Sequence, residues 1–327
     1  MSIELALLKS GENVISDSSK LLTGLKFKQS LRYGENPHQR AAWCVFPDEG
    51  LSTANQLQGK ELSYNNLIDL EAAISTVQEF KGEPASVVIK HTNPCGVAIG
   101  ESISDALVRS LDADRISCFG GIIALNREVD DVCATEIYKS FYECVVAPKF
   151  TGHALKIFSG KKNLRLLQLD IDNMDVSPYN VRSILGGVLV QEKDDQPVDP
   201  TEWKVVTKRI PTTQQMIDMT FAWKVVRHVR SNAILIARDG ATLGVGAGQM
   251  NRVGSAKIAL EAKDDNTGAA LASDGFFPFD DTVRWAHDYG IGAIIQPGGS
   301  IKDQESIDAC NELGMTMVFT GKRHFLH

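Results

Sequence analysis

The chain of 327 residues has no Cys-x-x-Cys pair. Its six cysteines, Cys44, Cys95, Cys118, Cys133, Cys144 and Cys310, are scattered, which excludes a disulfide framework and points to reduced thiols in the cytoplasm. No apolar run approaches the roughly 18–20 residues that cross a bilayer, and no N-terminal stretch reads as a charged region, an apolar region and a cleavage site. A membrane partner is therefore not expected. Excess positive charge is missing as well: 34 Lys and Arg stand against 41 Asp and Glu, a net charge of −7. That balance excludes the broad basic face that non-specific nucleic-acid binding requires, though a few arginines can still build a local pocket for a small anion. The His-x-Glu and Pro-Cys-x-x-Cys signature of zinc deaminases is absent, so no zinc ligand set is in place. Low-complexity tracts and short-period repeats are lacking too.

What the chain does have is apolar material, 43% of its residues, enough for one large domain or two ordinary ones. Short apolar runs predict buried strands at Ser86–Ile89, Gly121–Leu125, Val145–Ala147, Gly187–Val190, Ala233–Ala237, Ala293–Ile295 and Met315–Phe319. Helical spacing occupies Asn66–Phe80, Ile103–Leu111, Ala134–Tyr142, Thr213–Val229, Arg252–Lys263 and Ser306–Leu313. Alternation of the two kinds predicts an α/β chain with layered sheets. The polar, acidic stretch Gln191–Pro200 (QEKDDQPVDP) reads as a link between two halves, 26–195 and 196–327, and residues 1–25 as an N-terminal arm. Arg238-Asp239-Gly240-Ala241 predicts a tight hairpin between Ala233–Ala237 and Thr242–Val245.

Several segments carry residues suited to chemistry. The run Val87–Gly96 (VVIKHTNPCG) ends an apolar strand on Lys90 and His91. Strand ends project into clefts, where a histidine can act as a general base near neutral pH and a lysine can stabilise an oxyanion; a solvated lysine beside a turn-capping histidine is the alternative. Leu31–Gln39 (LRYGENPHQ) packs Arg32 and Tyr33 into an aperiodic loop, fit for an anion and a ring or simply for a polar turn. The paired glycines of Ser117–Gly121 permit close approach to a ligand or a plain turn. Gly244–Gln249 (GVGAGQ) lacks the third small residue of a dinucleotide fingerprint and follows a hairpin arm, so a Rossmann reading is rejected; an anion near Arg252 at the next helix start remains open. Ala272–Asp281 (ASDGFFPFDD) suits either an apolar slot for a flat heterocycle or an aromatic loop anchor. Gln296–Ser300 (QPGGS) could cradle an anion, and the basic, aromatic C-terminus Thr320–His327 could cover a site.

In this order, the blocks LRYGENPHQ, QGKELSYNNL, IKHTNPCGVAIG, FGGIIALN, GGVLVQ, WKVVRHVRSNAI, GVGAGQMNRV, SDGFFPF, IQPGGS and RHFLH resemble the formyltransferase half of the AICAR transformylase/IMP cyclohydrolase family, from about Leu31 to His327. The resemblance implies a duplicated three-layer α/β/α fold like that of cytidine deaminase, without zinc, in a homodimer whose active sites lie between subunits. It implies transfer of formyl from 10-formyltetrahydrofolate to the 5-amino group of AICAR, giving FAICAR and tetrahydrofolate. By the same match His91 would take the proton of the attacking amine and Lys90 would stabilise the tetrahedral oxyanion. Arg32, Tyr33, Gly120, Glu143, Asn232 and Arg323 would hold AICAR; Arg252, Phe276, Asp281 and Ser300 would hold the folate. A structural potassium ion is implied as well. The chain departs from the family at Asp280, where FFPFRD is usual, and residues 1–30 leave no space for the cyclohydrolase domain, so the expectation is either a separate IMP cyclohydrolase on another chain, or that this protein is a paralogue or a truncated form. A non-catalytic paralogue that binds AICAR or another nucleotide for regulation is the competing expectation.

Overall fold

A computed structural model describes residues 24–327. The expected arm, 1–25, thus lies almost wholly outside the described residues. The chain is α/β, and its centre is one mixed sheet of twelve strands. The first half contributes β3 (Asn55–Gln58), helix α1 (Tyr64–Val77), the hairpin β4 (Ala85–Lys90) and β5 (Asn93–Ile99), α2 (Ile103–Ala113), the short α3 (Arg115–Cys118), β6 (Ile122–Leu125), α4 (Asp131–Tyr138), β7 (Cys144–Ala147), α5 (Gly152–Phe158) and β8 (Arg165–Gln168). The second half runs β11 (Lys204–Val205), α6 (Thr213–Val226), the hairpin β12 (Ile234–Arg238) and β13 (Ala241–Gly246), α7 (Arg252–Leu260), β14 (Ala270–Ser273), α8 (Asp281–Asp288), β15 (Ala293–Gln296), α9 (Asp303–Glu312) and β16 (Thr316–Phe319). The order helix, hairpin, helix, then strands separated by helices therefore occurs twice. The sheet order, β11-β16-β15-β14-β12-β13-β5-β4-β6-β7-β8-β3, is a palindrome of the two halves about the β13–β5 contact.

Alternation along each strand sends side chains to both faces. One face, carrying Val87, Ile89, Val146, Leu235, Ala272 and Ile295, buries α1 and α6 in a core that spans both halves. The other face is covered in two separate clusters, by α2, α4 and α5 over the first half and by α7, α8 and α9 over the second. The helices begin where their capping residues sit: Ser63 and Asn66 form a reciprocal box at α1, and Thr212 and Gln215 another at α6.

Close contact of helix and sheet explains the glycine-rich run Gly244–Gln249. A Cβ at Gly244 would stand 2.0 Å from the Ala259 carbonyl oxygen, and one at Gly246 would stand 1.9 Å from that of Ser255, so both glycines admit α7 rather than a ligand. Gly96 on β5 plays the same part against Ser110 of α2. The strand expected at Gly187–Val190 exists, as part of β10 (Gly187–Glu192), but it is not buried. It pairs only with β9 (Tyr179–Ile184) in a separate two-stranded ribbon, on which Val181, Ile184, Leu185, Val188 and Leu189 are exposed. A further antiparallel pair, β1 (Lys26–Leu31) and β2 (Ala41–Val45), flanks the loop that carries Arg32 and Tyr33. The linker Gln191–Pro200 is tied down rather than loose: Asp194 Oδ2 lies 2.5 Å from His324 Nδ1, and Arg227 Nη1 donates to the Gln196 carbonyl at 2.8 Å.

Candidate functional site

Strand directions decide where the chemistry gathers. β4 is antiparallel to β6, which runs parallel to β7 and β8; β12 is antiparallel to β13 and β14, and β14 runs parallel to β15 and β16. With β5 and β13 also antiparallel, the end of β4 lies on the same rim of the sheet as the starts of β6, β7, β8 and β12 and the ends of β13, β14, β15 and β16. Lys90, His91, Gly120, Glu143, Asn232, Arg252, Phe276, Asp281, Ser300 and Arg323 all stand on this rim or on segments leaving it.

At its centre is the β4–β5 turn. Lys90 pairs with Asn93, leaving His91 and Thr92 as a two-residue loop in which both φ angles are positive, +53° and +63°. This is the type I′ pattern that matches strand twist. It is unusual for a non-glycine pair and costly for a β-branched threonine. Three hydrogen bonds from two neighbours hold it: Thr92 N–H donates to Asp69 Oδ1 at 2.6 Å, Arg230 Nε donates to Thr92 Oγ1 at 3.2 Å, and Arg230 N–H donates to Asn93 Oδ1 at 3.0 Å. Burial pushes the Asp69 carboxyl above its ordinary range, against the opposing pull of the Thr92 N–H and of His91. The His91 side chain is exposed, and Lys90 Nζ donates to the Phe119 carbonyl at 2.8 Å, directly before Gly120. Lys90, His91 and Gly120 therefore form one group.

Asn232, Arg252 and Arg323 form a second group, linked to the first through Arg230. Asn232 Nδ2 donates to the Gln249 carbonyl at 2.9 Å. Asp274, fully buried at the end of β14, takes the Arg252 guanidinium and accepts from Ser231 Oγ at 2.5 Å; Arg252 Nε also donates to the Phe276 carbonyl at 3.1 Å. The C-terminal tail closes on the same knot: Ser231 and Leu326 exchange bonds at 2.9 and 3.1 Å, and His324 N–H donates to the Asp274 carbonyl. Arg323 lies 4.6 Å over the Phe325 ring.

Other expected residues stand apart. Glu143 is engaged with Arg165 Nη1 at 2.7 Å. Arg32 packs on the Tyr33 ring at 5.4 Å, in a loop that meets α1 where Asn65 Nδ2 reaches the Glu35 carbonyl at 3.4 Å. Asn65 precedes Asp69 by one helical turn, so α1 relates this loop to the His91 turn. Phe276 is exposed, and Asp281 accepts from its neighbour Thr282 N–H at the start of α8. Ser300 lies in the loop after β15 and accepts from Lys302 N–H. β15 is five strands from β4, roughly 24 Å at the usual spacing, so Ser300 does not meet His91 within one chain. Asp280, the departure noted above, pairs with Arg284 one turn on at 2.7 Å. A cavity of about 320 Å³ opens at the other rim, lined by Phe80, Ile99, Thr213 and Met216 among others, and includes none of these residues.

Sequence reasoning did not single out Asp69, Arg230, Ser231 or Asp274. Asp69 is one carboxylate in an amphipathic helix, and only the fold shows it under the turn. Asp274 and Ser231 lay inside quoted motifs, but their partners are distant in sequence. Among the described residues no group of three or more His, Cys, Asp and Glu is placed to hold a metal ion, and no helix is long and apolar enough to cross a membrane.

An α/β chain with titratable residues gathered on one open sheet rim has the form of a small-molecule enzyme rather than of a structural module. The family model of the AICARFT/IMPCHase bienzyme matches residues 3–262, and the chain belongs to that family. It is 60% identical over 325 residues to the bifunctional purine biosynthesis protein PurH of Prochlorococcus marinus (strain NATL1A), covering 95% of this chain and 63% of that protein. It is also 60% identical over 317 residues to PurH of Synechococcus sp. (strain CC9311), covering 94% and 60%. The chain thus spans about three fifths of the length of the curated relatives it matches. Among solved structures, Acinetobacter baumannii RibD (form 2) shares 14% identity at a TM-score of 0.24, over 32% of this chain and 36% of that one, a likeness too slight to bear on the fold.

Proposed function

We propose that this chain transfers the formyl group of 10-formyltetrahydrofolate to the 5-amino group of AICAR, giving FAICAR and tetrahydrofolate in purine biosynthesis. Membership of the bienzyme family supports this reading. The single observation that carries it is the turn at the end of β4, which presents Lys90 and His91 side by side on an open rim. The AICAR amine is a weak nucleophile, its lone pair drawn towards the ring and carboxamide, so it needs positioning and a base. His91 takes the proton as the amine attacks the formyl carbon. Lys90, released from the Phe119 carbonyl, stabilises the oxyanion of the tetrahedral intermediate. Collapse of that intermediate expels N10 of the folate, which takes up a proton.

On this reading Arg32, Tyr33, Gly120, Glu143, Asn232 and Arg323 contact the nucleotide, and Arg252, Phe276, Asp281 and Ser300 contact the folate. The separation of Ser300 from His91 favours a homodimer in which one protomer supplies the base and its partner supplies part of the folate pocket. The exposed apolar ribbon β9–β10 favours association as well. Each half, with its boundary near residue 195, is a cytidine-deaminase-like unit without zinc. A structural potassium ion belongs to this reading as well; no catalytic step runs through it. FAICAR is then the substrate of the family's IMP cyclohydrolase activity, and the reaction takes place in the cytoplasm.

The test is a steady-state assay with AICAR and 10-formyltetrahydrofolate, with and without an added cyclohydrolase to draw off FAICAR. Tetrahydrofolate formation is expected in both, faster with the second enzyme. AICAR binding by calorimetry with no turnover under either condition would instead support a non-catalytic nucleotide-binding regulator.

A further inference from the structure

The two halves treat their hairpin turns alike, and the comparison isolates one residue. Asp69 is the sixth residue of α1, in Ile68-Asp69-Leu70; Asp218 is the sixth residue of α6, in Ile217-Asp218-Met219. Asp69 Oδ1 accepts from Thr92 N–H at 2.6 Å, in the β4–β5 turn, and Asp218 Oδ1 accepts from Asp239 N–H at 2.8 Å, in the β12–β13 turn. Both turns place two successive residues at positive φ. Asp239-Gly240 is a pair that adopts this conformation readily, so the Asp218 bond adds to a turn its own sequence already favours. His91-Thr92 is not such a pair, and strain of this kind persists only where the surroundings over-determine it.

We infer that Asp69 is a positioning residue for formyl transfer: its carboxylate holds the His91-Thr92 turn in the left-handed conformation that presents His91 to the substrate amine, where its repeat counterpart Asp218 merely braces a turn without chemistry. The inference rests on the formyl-transfer reading. The Asp69 carboxylate does not touch substrate. It acts through the backbone of Thr92, and Arg230, bonded to Thr92 Oγ1 and Asn93 Oδ1, holds the other side of the turn.

The test compares Asp69→Ala, Asp69→Asn and Asp218→Ala in the 327-residue chain, reading kcat, KM for AICAR and the hydrogen exchange of the Thr92 and Asp239 amides. Asp69→Ala is expected to lower kcat by about ten- to hundredfold with KM within about threefold, because a misplaced base forfeits orientation more than binding. Asp69→Asn keeps an oxygen acceptor and should recover kcat to within about threefold of the parent. Asp218→Ala should release the Asp239 amide while leaving kcat within about twofold, as a bond remote from the base predicts. If Asp69→Ala fails to fold, Asp69→Ala/Thr92→Gly is expected to fold and to regain activity, since glycine takes positive φ without strain. Equal loss of kcat in Asp69→Ala and Asp218→Ala, an unchanged kcat in Asp69→Ala, or an unaltered Thr92 exchange rate would overturn the inference. If the parent chain itself does not turn over, the formyl-transfer reading fails, and Thr92 exchange alone still decides whether Asp69 holds the turn.

Discussion

His91 and Lys90 are adjacent in sequence, yet the structure gives them opposite circumstances: the imidazole is exposed on a left-handed turn, while the ammonium is parked on a carbonyl. Residues nearby differ just as sharply in what their loss should cost. Arg252 and Asp274 form a buried pair, so Arg252→Met leaves an uncompensated buried carboxylate and should destabilise the fold by about 3–5 kcal/mol, read as a fall in the denaturant midpoint. Asp280 and Arg284 are both partly exposed; Asp280→Ala should cost less than about 1 kcal/mol. Side chains of this kind were legible as types before the fold was known. Their surroundings were not: Asp274 meets Arg252, and Asp69 and Arg230 meet Thr92 beside His91, across 22 to 138 positions of chain, separations that no local pattern encodes.

Among the elements, the strands flanked by clear turn signals were legible, and the Asp239-Gly240 hairpin formed where its sequence required. β5 was not foreseen, because Asn93-Pro94-Cys95-Gly96 reads as a turn; its glycine instead admits α2. The ribbon β9–β10 has the apolar content of a core strand, but among the described residues no helix covers it, so composition misplaced it. The joint between α1 and α6 carries a further prediction. Arg227 Nε donates to Glu79 Oε1 at 2.7 Å, and His228 Nε2 lies 2.9 Å from the same oxygen. Burial opposes ionisation of Glu79, but the bonds and charges of His228 and Arg227 outweigh it and hold the carboxyl below its ordinary range. Such a group contributes stability that is complete above its unfolded value, about 4.3, and is lost as pH falls through the folded value. The thermal midpoint should therefore drop on acidification below that range. Glu79→Gln should lower the midpoint at neutral pH and flatten the acid limb; an unchanged limb would remove Glu79 from the account.

At the scale of the whole molecule, the palindromic sheet places ten of the twelve expected contacts on one rim, spread from β7 to β16, and the homodimer proposed above would gather them. Two defective variants should then complement each other. His91→Ala and Ser300→Ala/Phe276→Ala proteins, each weak alone, should regain up to about a quarter of parental activity when mixed and allowed to exchange subunits, since half of a random mixture is heterodimer with one intact site of two. Absence of any gain would place both sets of residues in one protomer. The most direct measurement is the rate of tetrahydrofolate formation from AICAR and 10-formyltetrahydrofolate by the parent chain and by His91→Ala, with circular dichroism to confirm that both are folded. The account predicts turnover by the parent and a loss of about 10²- to 10⁴-fold in the variant; equal rates in the two folded proteins would contradict it.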